Sequence, residues 1–219
     1  MLSVIIPVYN ERDNIERLLQ AVKAVKVKKE IIIVDDFSND GTRDYLKKLS
    51  DVKVLFHEKN MGKGAAIRTG LKYANGDVVI IQDADLEYSP EEYTKLLKPI
   101  SMGYSKVVYG SRILGKGKFL KRSYLANRVL TLLTNLIFQG QITDMETCYK
   151  MVDRRLLQSL GPVSSRFEIE PEITCKLLKK KIKILEVPVS YYGRKAGKKI
   201  GVRDGIQAIW NIIKWKIKK

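Results

Sequence analysis

Two cysteines, one histidine and no long apolar run are what this 219-residue chain has least of. Cys148 and Cys175 stand far apart and outside any Cys-x-x-Cys spacing. That excludes a disulfide framework and a cysteine zinc site, and it fits a reducing cytosol. With His57 alone, at the end of an apparent strand over Val52–Phe56, imidazole catalysis and imidazole metal ligation share a single candidate. The longest apolar-rich stretch, Val129–Phe138, is ten residues long. A spanning helix needs roughly 20, so no segment is expected to cross a membrane. The apolar stretch Leu2–Pro7 has no basic flank before it and no small-residue cleavage site, so no signal peptide is visible. Gly62-Lys63-Gly64 lacks the third glycine of a dinucleotide fingerprint, since Ile67 takes its place, and no Gly-x-x-x-x-Gly-Lys-Ser/Thr loop occurs. Both points speak against a Rossmann dehydrogenase and a P-loop NTPase.

Positive charge is what the chain has in excess. It carries 41 Lys and Arg against 24 Asp and Glu, a formal net charge of +17. Nucleic acid, an anionic membrane surface and phosphate-bearing substrates all attract such a protein. Lysine-rich surfaces also arise as a thermal adaptation, so charge alone selects none of them. The length suits one large domain.

The first 110 or so residues alternate strands with helices. Leu2–Val8, Glu30–Val34, Val52–Phe56, Val78–Ile81 and Lys106–Tyr109 read as strands, several of them apolar on both faces. Helical patterns lie between them, one with Asp40 as its cap, one opening at Asn60–Gly64, and one starting in a capping box, Ser89-Pro90-Glu91-Glu92. This is the pattern of a mostly parallel, doubly wound α/β sheet. The second half is less regular. Ser123–Phe138 reads as a helix with Leu125, Val129, Leu132, Leu133 and Leu136 on one face, and Glu168–Leu178 as another. Cys148–Val152 reads as a strand, Ile182–Tyr191 as extended with Pro188 at an edge or strand end, and Asp204–Ile217 as an amphipathic helix. The expected organisation is a single domain, with a regular half over residues 1–110, a loop-rich stretch over 111–202 and an amphipathic tail helix over 203–219.

Asp83-Ala84-Asp85 falls just past the apolar run Val78–Ile81, at the carboxyl end of a strand, where open α/β sheets bind ligands. Two carboxylates one residue apart there can reach one hard cation, or they can be a solvated acidic turn. Asp35-Asp36 ends another strand and suits either a ribose or base contact or a cap for the next turn. The amino terminus of the helix at Gly62-Lys63-Gly64 could attract a phosphate, with Lys63 adding charge. Arg112, Lys121, Arg122, Arg194, Lys198 and Lys199 cluster in loops with glycines and Ser111 nearby, which suits a multiply charged ligand or simply a solvated face. A nucleic-acid surface would interleave aromatics with these residues, and only Tyr191, Tyr192, Phe119 and Tyr124 are placed to do so.

Together these pieces resemble the family-2 glycosyltransferases with the A-type nucleotide-sugar-binding fold, most closely the polyprenyl-phosphate group that includes dolichol-phosphate mannose synthase. The resemblance rests on Pro7-Val8-Tyr9-Asn10-Glu11, Asp35-Asp36 with Ser38 and Asp40-Gly41-Thr42, Asn60 with Gly62-Lys63-Gly64, and Gln82 through Glu87. It continues through Gly110-Ser111-Arg112, Asp144 with Cys148-Tyr149-Lys150, Phe167 through Glu170, and Arg194 with Gly197-Lys198-Lys199. Any one is weak, but their order and spacing together are specific.

The resemblance implies that Pro7, Tyr9, Glu11 and Asp36 hold the nucleoside, with Lys63 and Ala84 in the same nucleotide-sugar site. Asp83 and Asp85 would bind Mg²⁺ or Mn²⁺ on the sugar diphosphate, with Glu87 completing the shell; the mannose synthases often have Gln there. Arg112, Arg122 and Ser123 would face the acceptor phosphate, and Arg194 and Lys199 the departing diphosphate. The implied reaction is an inverting, metal-dependent transfer of a sugar from GDP-mannose or a UDP-hexose to a polyprenyl phosphate. The alternative is transfer to a hydroxyl of a soluble or cell-surface glycan, for which Asp144 is the base candidate. Many relatives carry transmembrane helices after the catalytic domain. The expected location is cytoplasmic, peripheral at the inner face of the cell membrane, with Trp210, Trp215 and the lysines around them in an interfacial helix. Packing of either amphipathic helix on the core or in a homodimer is the competing reading. Nucleic acid is not an expected partner, since it leaves the strand-end carboxylates without a purpose.

Overall fold

A computed structural model describes residues 1–115, 117–193 and 202–218; the side chains of residues 121, 122, 202–204 and 206 fall outside it. The chain opens with β1 (Leu2–Val8), buried along its whole length. It continues through α1 (Arg12–Ala24), β2 (Lys29–Asp35), α2 (Thr42–Leu46), β3 (Lys53–Phe56), α3 (Lys63–Tyr73) and β4 (Val78–Ile81). β3, β2, β1 and β4 lie side by side and parallel. Burial of β1 and β4 on both faces explains their unbroken apolar runs. In α1, Ile15, Leu18, Leu19 and Val22 recur at helical spacing and are the side chains it buries.

The register sets the strand ends. Val8 pairs with Asp35 and Ile5 with Ile81, so the segments after β1, β2 and β4 emerge along one edge of the sheet. After β4 come α4 (Tyr93–Ser101) and β5 (Val107–Ser111). The expected capping box does not form. Pro90–Glu92 is a 3₁₀ turn in which the Glu92 amide bonds the backbone of Ser89, whose side chain caps nothing, while the Glu92 carboxylate accepts from the Ser190 amide at 3.2 Å. A tertiary partner has taken the side chain the local motif would use.

Next come β6 (Gly117–Lys118), α5 (Lys121–Phe138), β7 (Lys150–Asp153), α6 (Arg154–Ser159) and α7 (Ile169–Lys179). The described chain ends with β8 (Leu185–Pro188), β9 (Tyr191–Tyr192) and α8 (Val202–Ile217). β7 inserts between β4 and β5 and runs antiparallel to both. An antiparallel strand begins where its neighbours end, so the loop before β7 arrives at the same edge as the carboxyl ends of β4 and β5. β8 is the outer strand beside β5 and ends at Pro188, where a missing amide is tolerated. β6 and β9 form a separate two-stranded piece.

A second, smaller core joins α5, α7 and α8 through Leu130, Phe138, Cys175, Ala208, Ile212 and Trp215. Both cysteines are buried free thiols. α5 and α8 each bury one face and expose another: Leu136 is 71% exposed, Trp210 65% and Ile217 75%. Leu125, Val129 and Leu132 are exposed with Leu136, whereas Leu133 packs inward. Trp215, expected at an interface with Trp210, is only 6% exposed and belongs to this core, because it lies on the opposite side of α8.

Candidate active site

The strand ends open into one cleft of about 1000 Å³. Pro7, Tyr9, Glu11 and Asp36 line one end, Lys63, Asp83, Ala84, Asp85 and Glu87 its middle, and Arg112 and Ser123 the far side. The sequence-predicted residues are therefore brought together. Arg194 and Lys199 lie outside the described residues, as does the side chain of Arg122.

A chain of charges forms the floor. Lys63 Nζ stands 2.7 Å from Asp83 Oδ1 and 3.0 Å from Glu170 Oε1, and Lys150 Nζ is 3.0 Å from Glu170 Oε2. Lys150 also donates to the carbonyls of Met145, at 2.9 Å, and Thr147. Burial alone would depress the Lys63 ammonium, but Asp83 and Glu170 outweigh it and hold its pKa well above the ordinary value.

Asp36, expected at the nucleoside and on the cleft wall, also braces the start of α3. Its carboxylate accepts from the amides of Met61 at 2.8 Å and Gly62 at 2.7 Å, and from His57 Nδ1 at 2.8 Å. His57 Nε2 meets Thr69 Oγ1 at 3.0 Å, which makes the one histidine a buried strut. The Ala65 amide bonds the Ser165 carbonyl at 3.0 Å. Three amides around the start of α3 are thus spent on protein groups, which makes this helix terminus a packed joint, although its glycines left a phosphate site open in the sequence. The glycines serve that joint. A Cβ at Gly64 would lie 2.4 Å from the Ser164 carbonyl oxygen, and Gly62 has φ +92°.

At the far side Arg112 is locked. Its Nε and Nη2 donate to Asp144 at 2.7 Å each, and its backbone amide donates to the same carboxylate at 2.9 Å. The guanidinium carbon sits 5.1 Å from the Tyr191 ring centre and 5.7 Å from that of Phe119. Asp144 is fully buried and also accepts from Asn127 at 2.8 Å. Burial would raise its carboxyl, but Arg112 holds it below the usual range. A carboxylate so committed orients an arginine and is not placed as a base on the cleft wall.

Among the described residues no three carboxylate, imidazole or thiol side chains are grouped to hold a metal ion, so Asp83, Asp85 and Glu87 are not a preformed cage. Glu87 Oε2 accepts from Tyr191 Oη at 2.6 Å. Asp83 and Asp85 nevertheless fit a magnesium-like cation. They are hard oxygen donors on the cleft wall, and such ions use one or two carboxylates with substrate phosphates and water for the rest.

Sequence reasoning missed Glu146, Arg166 and Cys148 as cleft residues. Glu146 carried a signal, a charge between Asp144 and Cys148 in a segment that bears the family resemblance. Reading it needed the direction of β7.

The family model described as "Glycosyl transferase family 2" matches residues 3–161. A dolichol-phosphate mannosyltransferase from Pyrococcus furiosus is 32% identical over 231 residues, covering 98% of this chain and 64% of that protein. An undecaprenyl-phosphate 4-deoxy-4-formamido-L-arabinose transferase from Photorhabdus laumondii is 27% identical, covering 90% of this chain and 61% of the relative. The chain thus spans less than two thirds of the length of these curated relatives. Among solved structures, a glucosyl-3-phosphoglycerate synthase from Mycobacterium tuberculosis in complex with Mn²⁺, UDP and phosphoglyceric acid superposes with a TM-score of 0.79 at 20% identity. That match covers 99% of this chain and 78% of the other, and it bears on the fold alone.

Proposed function

The chain belongs to glycosyl transferase family 2, and from that premise we propose that it moves one sugar from a nucleoside diphosphate sugar to a polyprenyl phosphate. One observation carries the choice of acceptor. The cleft that holds Asp83, Asp85 and the locked Arg112 runs on between Leu125, Ala126, Val129 and Leu130 of α5 and Ala208 and Ile209 of α8. An anion-binding centre with an apolar extension fits a phosphate on a hydrocarbon chain. The relatives named for dolichol-phosphate and undecaprenyl-phosphate transfer support the same reading.

In the reaction an acceptor phosphate oxygen attacks the anomeric carbon, the bond from that carbon to the diphosphate oxygen breaks, and the diphosphate leaves with the electron pair. Configuration inverts. A phosphate monoester has a second pKa near ~6 and is largely ionised at neutral pH, so no general base is required. That agrees with the commitment of Asp144 to Arg112, which orients the acceptor phosphate. Asp83 and Asp85 would hold a divalent cation, which neutralises charge on the diphosphate. Lys63 and Arg166, both on the cleft wall, add fixed positive charge.

The exposed apolar faces of α5 and α8 would rest on a membrane that presents the lipid, which supports peripheral docking at the cytoplasmic face. No helix among the described residues is long and apolar enough to cross a membrane.

The test is transfer by the purified chain from radiolabelled GDP-mannose and UDP-glucose, with Mg²⁺ or Mn²⁺, to a short polyprenyl phosphate or to a soluble glycan. Labelled glycolipid is expected, with loss of at least about 100-fold in Asp83→Ala and Asp85→Ala. Transfer to the soluble glycan alone, or full activity in both variants, would sink the reading.

A further inference from the structure

One carboxyl oxygen in the cleft has neither a hydrogen bond nor an ion pair among the described residues. Glu146 stands between Asp144, which locks Arg112, and Cys148, in the loop that the antiparallel direction of β7 delivers to the site. The residue is half-buried, yet its Oε1 is shielded from solvent and makes no hydrogen bond among the described residues. The oxygens of Glu170 make no conventional hydrogen bond either, but both are ion-paired, to Lys63 and Lys150. Glu146 has no such pair among the described residues. Buried polar atoms in native proteins almost always find a partner, so an oxygen left bare on a cleft wall suits a polar group that a ligand brings.

The surroundings limit what that ligand group can be. Among the described residues, Lys150 from β7, Glu170 and Cys175 from α7, Arg112 from the segment after β5 and Asp144 from its own loop are titratable or charged groups whose fields reach Glu146. Burial is the largest influence, opposed by Lys150, and it pushes the Glu146 carboxyl up to about 7. An ionised carboxyl repels phosphate, and Lys150 and Arg112 already supply positive charge around it, so a polar, uncharged group suits it best. The nucleoside end of the cleft lies at Pro7, Tyr9 and Glu11. Arg112 marks the acceptor phosphate. What must lie between a departing diphosphate and an incoming phosphate is the sugar ring.

We propose that Glu146 is a specificity-determining residue of the donor site, its carboxyl hydrogen-bonding a hydroxyl of the sugar being transferred. The inference rests on the reading of this cleft as a nucleotide-sugar site. A hydroxyl both donates and accepts, so it matches this side chain in either protonation state.

The experiment compares the parent nucleotide sugar with analogues lacking one hydroxyl each, using wild type, Glu146→Gln and Glu146→Ala. Wild type is expected to favour the parent over one particular deoxy donor by roughly 10- to 100-fold in kcat/KM, as for a hydrogen bond to a charged group. Glu146→Ala collapses that one ratio to within about threefold and leaves the other ratios intact, as a double-mutant cycle requires. Glu146→Gln, nearly isosteric, keeps part of the discrimination. In calorimetry, both variants bind the bare nucleoside diphosphate within about twofold of wild type but bind the nucleotide sugar more weakly, since only the sugar contact is gone. Unchanged ratios at every hydroxyl overturn the proposal. So does an equal fall in kcat on all donors with the ratios preserved, which would signify proton transfer or a structural role. A wild type that binds no nucleotide sugar would bring down the broader reading itself, an outcome distinct from either.

Discussion

Glu146 shows how one side chain can be costly to the fold and useful to the site. Its carboxyl is pushed from 4.5 to about 7, first by burial. The folded state therefore prefers the protonated form. Below pH about 4.5 both folded and unfolded chains hold the proton and the residue carries no penalty. As pH rises from there to about 7 the unfolded chain ionises first, and the stability contributed by the protonated group is lost; above that the penalty is constant. Glutamine does not titrate. The stability of Glu146→Gln relative to wild type should therefore climb across pH 4.5–7 by up to about 3 kcal/mol and be flat on either side, as read from urea denaturation at four pH values. A difference that stays level through the window would show that the carboxyl is not buried in this way. Asp144 is the contrasting case, a buried carboxyl held below its usual range by Arg112. The two residues stand two positions apart in the sequence, which could not separate their roles, because role here depends on which partner is within reach.

The elements were legible where one local pattern decided them and illegible where direction or a distant partner did. β1, β2 and β4 announced themselves by apolar runs, and α5 and α8 by their periodic leucines and isoleucines. β7 was visible as a strand, but apolar content carries no sense of direction, so its antiparallel pairing and the delivery of Glu146 and Cys148 to the cleft were not foreseen, and Asp144 was reached only through the resemblance. The first turn of α3 is another case. Its glycines suggested room for a phosphate, and the room is filled by residues 164–166. Since the atoms that a Cβ at Gly64 would strike are backbone carbonyl oxygens of Ser164 and Arg166, they yield only if the whole segment moves. Gly64→Ala should therefore destabilise by about 1–3 kcal/mol, although alanine is about 1 kcal/mol the better helix former. Gly205→Ala in α8, where the added methyl meets nothing within 4 Å, should instead stabilise by about 0.5–1 kcal/mol. Thermal unfolding of the two variants checks the pair; equal shifts of one sign would mean that helix propensity, and not the joint, sets the outcome.

At the scale of the whole molecule, the net charge of +17 and the apolar faces of α5 and α8 have to be considered together. Neither suffices alone: the charge suits many anions, and an exposed apolar face suits a second copy of the chain as well as a lipid surface. Their combination favours a membrane. Leu125, Val129, Leu132 and Leu136 on α5 stand exposed with Ile209, Trp210, Ile213 and Ile217 on α8, and Arg128 and Lys214 are exposed on the same two helices, with Lys218 just past the end of α8. A lysine or arginine near an anionic surface contributes about 1 kcal/mol, and that contribution fades as salt shortens the screening length. The protein should therefore co-sediment with vesicles containing anionic lipid at low salt and largely dissociate at about 1 M salt, with little binding to neutral vesicles. The two tryptophans provide an internal control. Trp210 is exposed and its emission should shift to the blue on binding, whereas Trp215 is already packed against α5 and α7 and should contribute no change. Leu132→Glu with Leu136→Glu should weaken vesicle binding at least about tenfold by placing charge in the apolar face, without touching the small core, since both side chains point away from it. Failure to bind anionic vesicles at low salt, together with a concentration-dependent dimer in sedimentation equilibrium that the same double variant abolishes, would assign the face to a second copy of the chain, and the proposed polyprenyl phosphate would then have to reach the cleft by another side.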